Sequence, residues 1–421
     1  MGLCTLLSVL GCSVYDPNLI EPSDAAAGVP RRPAASTSSV DDGESIAFAL
    51  NDIFLRQSAD MAARIGVDLD GTTTTGPDDA TCEPRAVDGE VVSQDVVDGD
   101  MGIDNAIGVV LLPTTSAALP CLEDNLAMTQ GRGIGTILLW VQGWNGLPDD
   151  ASVTAVLTTA VDGTSEDPSL VGFGRNDDVN LVYLSGAQNE EAPDPGWANQ
   201  DSWFLDPVDF DNDETGAASL DLPKARQVDA YVSSGRLVVP LLDGTAFKLI
   251  AGDGSLPSDG AMVVVVSGGL MMGDISDDHT RIERGLFAGR FSLENLGATT
   301  ARIGMCAINA TVIGTLLGQF ADIQQIPEKD GTGAECDAFS TGVTFNGVAG
   351  RVAGIAAVSR PELAPCASGE PVEIDRCCPS EWAYGKSRLE TCAPLEKVRK
   401  AAFFDALPST VQIPVPEPEL F

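Results

Sequence analysis

The sequence predicts a mainly β protein: an antiparallel, jelly-roll-like β-sandwich with an N-terminal helix and a C-terminal helical, cysteine-rich segment. Short runs that alternate apolar and polar residues recur between about 100 and 291, for example at 152–161 and 237–242. Turn pairs such as Asp243-Gly244 separate these runs. Because long helical patterns do not intervene, antiparallel sheets are favoured over a doubly wound parallel sheet.

Helical spacing is found at both ends of this β-rich stretch. At 44–65, apolar residues such as Ile46, Leu50 and Ile53 recur at steps of three and four, which predicts an amphipathic helix. The same spacing returns at 292–325, before a cysteine-dense stretch at 336–392 and a further predicted helix at about 394–406. Proline residues punctuate 408–421, which predicts an extended tail.

The N-terminus carries a short apolar run, 3–10, that ends in Leu10-Gly11-Cys12. A small residue followed by cysteine after such a run resembles the signal of bacterial lipoproteins. The resemblance implies cleavage before Cys12, acylation of Cys12 and attachment to a bilayer in the cell envelope, at the outer membrane or cell surface. The predicted organisation is a signal peptide at 1–11, a flexible tether at 12–43, a helix plus sandwich at 44–291, a helical, cysteine-rich region at 292–407 and the tail at 408–421.

The formal net charge is −38, from 24 basic and 62 acidic residues. A nucleic-acid partner is excluded on this basis, because binding a phosphate backbone requires a cationic surface that displaces counterions. An acidic surface instead favours divalent cations and cationic partners.

The cysteine count agrees with export. After Cys4 leaves with the signal and Cys12 is acylated, an even number remains, and an exported protein is expected to pair them as disulfides. Zinc is the alternative, but the chain has no C-x-x-C pair and a single histidine, His279. The cysteines predicted to pair are Cys82, Cys121, Cys306, Cys336, Cys366, Cys377, Cys378 and Cys392.

Two acidic loops are candidate calcium sites, because Ca²⁺ takes six to eight hard oxygen ligands and alternating carboxylates on a tight loop supply them. The first loop resembles the short aspartate-rich calcium loops of extracellular bacterial modules. Neither loop has the terminal glutamate of an EF-hand, and an ordinary polar turn is the alternative in so acidic a chain. The candidate ligands are Asp98, Asp100, Asp104 and Asn105 in the first loop and Asp209, Asp211 and Asp213 in the second.

A loop that combines two indoles with amide and carboxylate groups is the candidate ligand-binding site. Aromatic faces beside hydrogen-bond acceptors suit a sugar ring, and binding residues concentrate in loops on a rigid sheet. The alternative is that both indoles fold back over the protein core. The candidate residues are Trp197, Asn199, Asp201 and Trp203.

These observations predict a membrane-anchored, extracytoplasmic binding or structural lipoprotein, stabilised by calcium, with a glycan or an envelope protein as partner. The alternative is a carbohydrate-active hydrolase that uses paired carboxylates, although the sequence nominates no pair. Nucleophilic catalysis has little support, because His279 is the single histidine and no Gly-x-Ser-x-Gly elbow occurs. No catalytic residue is assigned.

Overall fold

A computed structural model describes residues 28–34, 45–54, 59–87, 90–91, 97–113, 133, 135–160, 197, 199, 201–251, 260–296, 318–356, 376–377 and 393–394. Within these ranges the strands are β1 (Ile46–Phe54), β2 (Ala86–Val87), β3 (Glu90–Val91), β4 (Ile137–Gln142), β5 (Asp150–Thr159), β6 (Ser202–Leu205), β7 (Phe210–Asn212), β8 (Ala218–Pro223), β9 (Arg226–Ser233), β10 (Arg236–Leu241), β11 (Thr245–Ala251), β12 (Gly260–Ile275), β13 (Arg281–Ser292), β14 (Ala338–Ile355), β15 (Arg376–Cys377) and β16 (Ala393–Pro394).

Eight of these strands form a closed, antiparallel, up-and-down barrel. The order around the barrel is β1, β4, β5, β9, β10, β12, β13 and β14, and β14 pairs with β1 to close it. Each barrel strand therefore pairs with the barrel strands that precede and follow it along the chain. Two strands extend the sheet outside this ring: β6 runs parallel to the end of β14, and β11 pairs with the first half of β12.

The barrel interior is filled by apolar side chains from all eight strands. Alternate residues of each strand point inwards, which gives a packed core of the kind small barrels use. Burial of each large side chain contributes roughly 1.5–3 kcal/mol. Examples of the inward-facing residues are Phe48, Leu139, Leu157, Val232, Val239, Met271, Phe287 and Phe345.

Two of the segments that connect the strands pack on the outer surface of the barrel. The segment around β6 and β7 packs on β1, β4 and β5, with Trp203 and Phe210 against Leu138 and Val156. On another side, Ile65 packs on the outer faces of β9, β10, β12 and β13. The insertions after β1 and β5 thus act as a second layer around the barrel.

The predicted β-sandwich is wrong, because the sheet closes on itself. Alternating apolar residues are expected for both architectures, so the pattern alone does not separate them. The strand β12 bends where Gly268 interrupts its register between Ser267 and Leu270, and such bulges allow a sheet to curl.

The predicted N-terminal helix at 44–65 is also wrong: 46–54 is the strand β1, and the helix α1 (Ala59–Ala62) is short. The strand is buried on both faces. Phe48 and Leu50 point into the barrel, while Ala47 and Ala49 pack beneath Trp203 on the outside. A strand covered on both sides lacks the apolar–polar alternation, so its spacing resembled that of a helix.

The predicted C-terminal helical segment is wrong as well, because β14, with 18 residues, lies within 292–407 and closes the barrel. A short helical turn at 293–296 is present in the described residues. The predicted helix at 394–406 and the tail at 408–421 lie outside the described residues, apart from Pro394 in β16. The described residues also contain helical turns at Ile107–Leu111, which is π-type, and 3₁₀ turns at Pro77–Asp79, Pro207–Asp209 and Pro327–Lys329.

Part of the predicted tether lies against the barrel. Arg32 donates hydrogen bonds to the carbonyls of Ala151 on β5 and Asp229 on β9, at 2.7 and 2.5 Å. Its guanidinium also lies 4.8 Å from the ring centre of Tyr231, whose hydroxyl donates to the carbonyl of Pro30. The Cys12 site and the signal segment lie outside the described residues. Of the helices in the described residues, none has the length and apolar composition that a membrane span requires.

Candidate metal centre

Four aspartates converge on the outer surface of the barrel, and we call Asp68, Asp70, Asp98 and Asp104 the carboxylate cluster. One carboxylate oxygen from each of Asp68, Asp70 and Asp104 lies within 4.8 Å of the other two. Asp98 joins them through a hydrogen bond with the side chain of Asp104. Asp104 is 3% exposed, whereas Asp68 is exposed to solvent.

The two segments that carry the cluster are joined by backbone hydrogen bonds. Val67 forms an isolated antiparallel bridge with Asp104, and Asp104 N–H donates to the Val67 carbonyl at 3.1 Å. The N–H of Leu69 donates to Asp104 Oδ2 at 2.6 Å, and the N–H of Thr74 donates to Asp98 Oδ2 at 2.5 Å. The carboxylates of Asp98 and Asp104 are therefore held in fixed positions by backbone N–H groups.

The barrel wall and a disulfide hold this segment in place. The guanidinium of Arg290, on β13, is 1% exposed and donates to the Leu69 carbonyl at 2.6 Å. Arg290 also forms an ion pair with Asp330 at 2.7 Å. The disulfide between Cys82 and Cys336 also links the segment that follows Asp68 and Asp70 to the chain just before β14.

Further oxygen atoms lie beside the cluster at Gly102. A Cβ atom at this position would lie 2.9 Å from Thr73 Oγ1, 3.2 Å from the Thr72 carbonyl oxygen and 3.4 Å from Asp68 Oδ2. Gly102 has a φ of 80°, in the left-handed region, which a side chain would also strain. The absence of a side chain at Gly102 thus allows the hydroxyl, carbonyl and carboxylate oxygens to lie close to its backbone.

The concentration of negative charge changes the protonation of the cluster. Burial, and then the charge of Asp70, raises the pKa of Asp104 to about 9. Burial is also the main cause that raises the pKa of Asp98. Asp322 lies close enough to contribute to the pKa of Asp104, and burial raises its own pKa to about 7 against hydrogen bonds from Ser340. Without a cation, the folded protein therefore retains protons here at neutral pH.

The predicted first loop contributes only part of its residues to this centre. Asp98 and Asp104 belong to the cluster, but Asp100 is exposed and pairs with Arg64 at 3.4 Å. The side chain of Asn105 is buried and serves the fold: it accepts from the N–H groups of Gly108 and Gly342 and donates to the Ala62 carbonyl. Asp68 and Asp70 were not predicted, although the run Asp68-Leu69-Asp70-Gly71 has the same alternation of carboxylates around a glycine.

The predicted second loop does not bring its carboxylates together. Asp209 turns inwards and accepts from Thr158 Oγ1 at 3.0 Å and Thr159 N at 2.8 Å. Asp211 is exposed, and Asp213 accepts hydrogen bonds from Thr215 within its own turn. These three residues therefore occupy separate structural positions, and the calcium prediction for them has no geometric support.

The predicted ligand-binding loop places its two indoles against the barrel. Trp203 lies in β6 and is 1% exposed, and its ring centre is 5.6 Å from that of Trp197, which is half-buried. Asp201 is buried and its Oδ2 accepts from the Trp197 N–H at 2.9 Å, while Asn199 is exposed. This arrangement favours the alternative in which the indoles cover the core.

Two of the cysteines predicted to form disulfides, Cys82 and Cys336, are bonded to each other, with their Cα atoms 5.1 Å apart. Cys121, Cys306, Cys366, Cys378 and Cys392 lie outside the described residues, as does the side chain of Cys377. No family model matches the chain. No solved structure matches it either.

Proposed function

We propose that this chain is a lipid-anchored, extracytoplasmic lipoprotein with a structural or binding role, whose barrel is stabilised by Ca²⁺ at the carboxylate cluster. The observation that carries the calcium proposal is the convergence of Asp68, Asp70, Asp98 and Asp104, one of them buried. Carboxylates brought this close repel one another unless protons or a cation neutralise them.

The donor set matches the chemistry of calcium. Ca²⁺ prefers carboxylate, carbonyl and hydroxyl oxygens, and it accepts irregular geometry with six to eight ligands. Besides the four carboxylates, Thr73 Oγ1 and the Thr72 carbonyl oxygen lie near Asp68 Oδ2 around Gly102. The cluster contains no thiolate or imidazole, which a zinc site would favour.

The cellular location is supported by two features. The run ending in Leu10-Gly11-Cys12 resembles a lipoprotein signal, and a disulfide such as Cys82–Cys336 persists in oxidising compartments. Free calcium reaches high levels in the same extracellular settings, where weak sites are saturated. Location and cation are therefore chemically consistent with each other.

The hydrolase alternative receives less support from this geometry. A glycoside hydrolase needs two carboxyl groups that face the scissile bond from opposite sides. Asp104 is buried, and its Oδ2 is bonded to the Leu69 N–H. Glycan binding at Trp197 and Trp203 is also less supported than the structural role, because Trp203 has almost no exposed surface to offer a sugar.

Thermal unfolding with and without calcium tests the proposal. At free Ca²⁺ 100 times its dissociation constant, the gain is about 2.7 kcal/mol, or several degrees of melting temperature. Asp70→Asn should remove this gain, whereas Asp211→Asn, which changes an exposed aspartate outside the cluster, should retain it. A melting temperature indifferent to both millimolar calcium and chelator would contradict the proposal.

A further inference from the structure

A second buried charged site lies away from the carboxylate cluster, between β11 and the turn after β6. Lys248 Nζ lies 2.7 Å from Asp206 Oδ2, although the two residues are 42 positions apart in the chain. Lys248 is 8% exposed and Asp206 is 2% exposed. A buried lysine–aspartate pair is costly to desolvate, so its retention in a packed protein calls for a physical reason.

The groups around this pair have defined chemical capacities. Asp206 Oδ1 accepts a hydrogen bond from the Val208 N–H at 3.1 Å, because Asp206 caps the 3₁₀ turn Pro207–Asp209. The carboxyl of Asp209 lies within electrostatic range of both partners. Burial, and then the charge of Asp206, raises the pKa of Asp209, while Lys248 acts in the opposite direction. Asp209 is therefore a second carboxyl group beside the pair, placed to relay a proton between Nζ and Oδ2.

We propose that Lys248 and Asp206 join in an intramolecular isopeptide bond, with Val208 N–H as the oxyanion donor and Asp209 as the proton carrier. Transfer of a proton from the Lys248 ammonium to the Asp206 carboxylate, along their hydrogen bond, gives a neutral amine and a neutral acid. The Nζ lone pair then attacks Asp206 Cγ and forms the C–N bond. No oxidant, reductant or cofactor takes part.

The remaining steps balance without any other reactant. Attack places negative charge on Oδ1, where the Val208 N–H stabilises it, as a backbone donor does in an oxyanion hole. Asp209 takes a proton from Nζ and delivers a proton to Oδ2. The C–Oδ2 bond breaks and one water leaves. The products are a secondary amide between the two side chains and one water molecule.

The fold supplies the two conditions that this condensation needs. It holds the amine and the carboxyl in contact, and effective molarities for well-oriented groups reach about 10⁵–10⁸ M. Both side chains are buried, which keeps bulk water away from the reacting groups. The other lysine near this turn, Lys224, is exposed and donates to the Val208 carbonyl, which is an amide and offers no acid to condense with.

A tryptic peptide map of the full chain, read by mass spectrometry after reduction, tests the proposal. We expect one branched peptide that joins the Lys248 and Asp206 segments and is lighter by one water, with loss of tryptic cleavage after Lys248. Lys248→Arg should yield linear peptides only, and the matched control Lys224→Arg should retain the branched peptide. Asp209→Asn should leave a substantial fraction linear after folding.

The wild-type map decides the question even if a variant fails to fold. Linear peptides containing unmodified Lys248 and Asp206 at full abundance would overturn the proposal. A branched peptide of the same mass in Lys248→Arg would overturn it too, because the bond would then involve another amine.

Discussion

Replacing Asp104 with asparagine should flatten the dependence of stability on pH in the calcium-free protein. Asp104 is buried, and its pKa is raised from 3.8 to about 9 in the folded state. A group whose folded pKa is raised contributes stability that is complete below its unfolded pKa and is lost as the pH rises through the folded pKa. Folding therefore weakens progressively from about pH 4 to about pH 9 because of this residue.

The magnitude follows from the linkage relation. One additional proton bound by the folded state changes the free energy of unfolding by about 1.4 kcal/mol per pH unit. Between pH 6 and pH 8 the wild-type protein should lose about 3 kcal/mol through Asp104, a loss that the variant avoids. The amide introduced by Asp104→Asn would resemble the protonated acid, since it can accept from Leu69 N–H and donate to Asp98.

Urea unfolding at a series of pH values, in chelator, measures this difference. The free energy of unfolding should fall more steeply with pH in the wild type than in the variant. The difference in slope should correspond to about one proton per molecule. The pKa of Asp322 is also raised, to about 7, so its contribution to stability is lost as the pH rises towards 7. This loss occurs in both proteins and therefore cancels in the comparison. Parallel curves from pH 5 to pH 8 would refute the view that Asp104 carries a proton in the calcium-free fold.

Three further predictions concern the disulfide, the indoles and the anchor. Replacing both Cys82 and Cys336 with serine should cost roughly 2–5 kcal/mol in urea unfolding, and an unchanged midpoint would contradict a structural role for this bridge. Trp203→Ala should lower the free energy of unfolding by about 3–5 kcal/mol because the indole is buried. Glycan binding would be favoured instead if the wild-type protein were retained on polysaccharide columns and Trp197→Ala abolished this retention without loss of stability. Cys12→Ser should release the protein from the membrane fraction of a bacterial host, and unchanged fractionation would refute acylation at this residue.

The β-rich class could be read from the sequence, but the closure of the sheet could not. The local alternation of apolar residues predicts which side chains point into the core, and Leu237 and Val239 do point inwards. Closure depends on the pairing of β1 with β14, which joins residues about 300 positions apart, such as Ala47 and Gly350. No local pattern encodes that pairing.

The candidate metal centre was predicted in part, for a similar reason. Asp98 and Asp104 were identified from their own loop, whereas their partners Asp68 and Asp70 lie about 30 residues earlier and meet them through the Val67–Asp104 bridge. Asp100 belongs to the same short loop but points to Arg64 at the surface. Spacing within one loop therefore did not identify which carboxylates share a site.

Calorimetric titration of calcium into the chelator-treated full chain tests directly whether the carboxylate cluster binds calcium. One saturable site per molecule is expected, with release of protons on binding, because a ligating carboxylate such as Asp104 must be deprotonated. The binding heat should therefore vary with the ionisation enthalpy of the buffer, and Asp70→Asn should abolish binding. Absence of saturable binding, or the same binding in Asp70→Asn, would contradict the assignment of the carboxylate cluster as a calcium site.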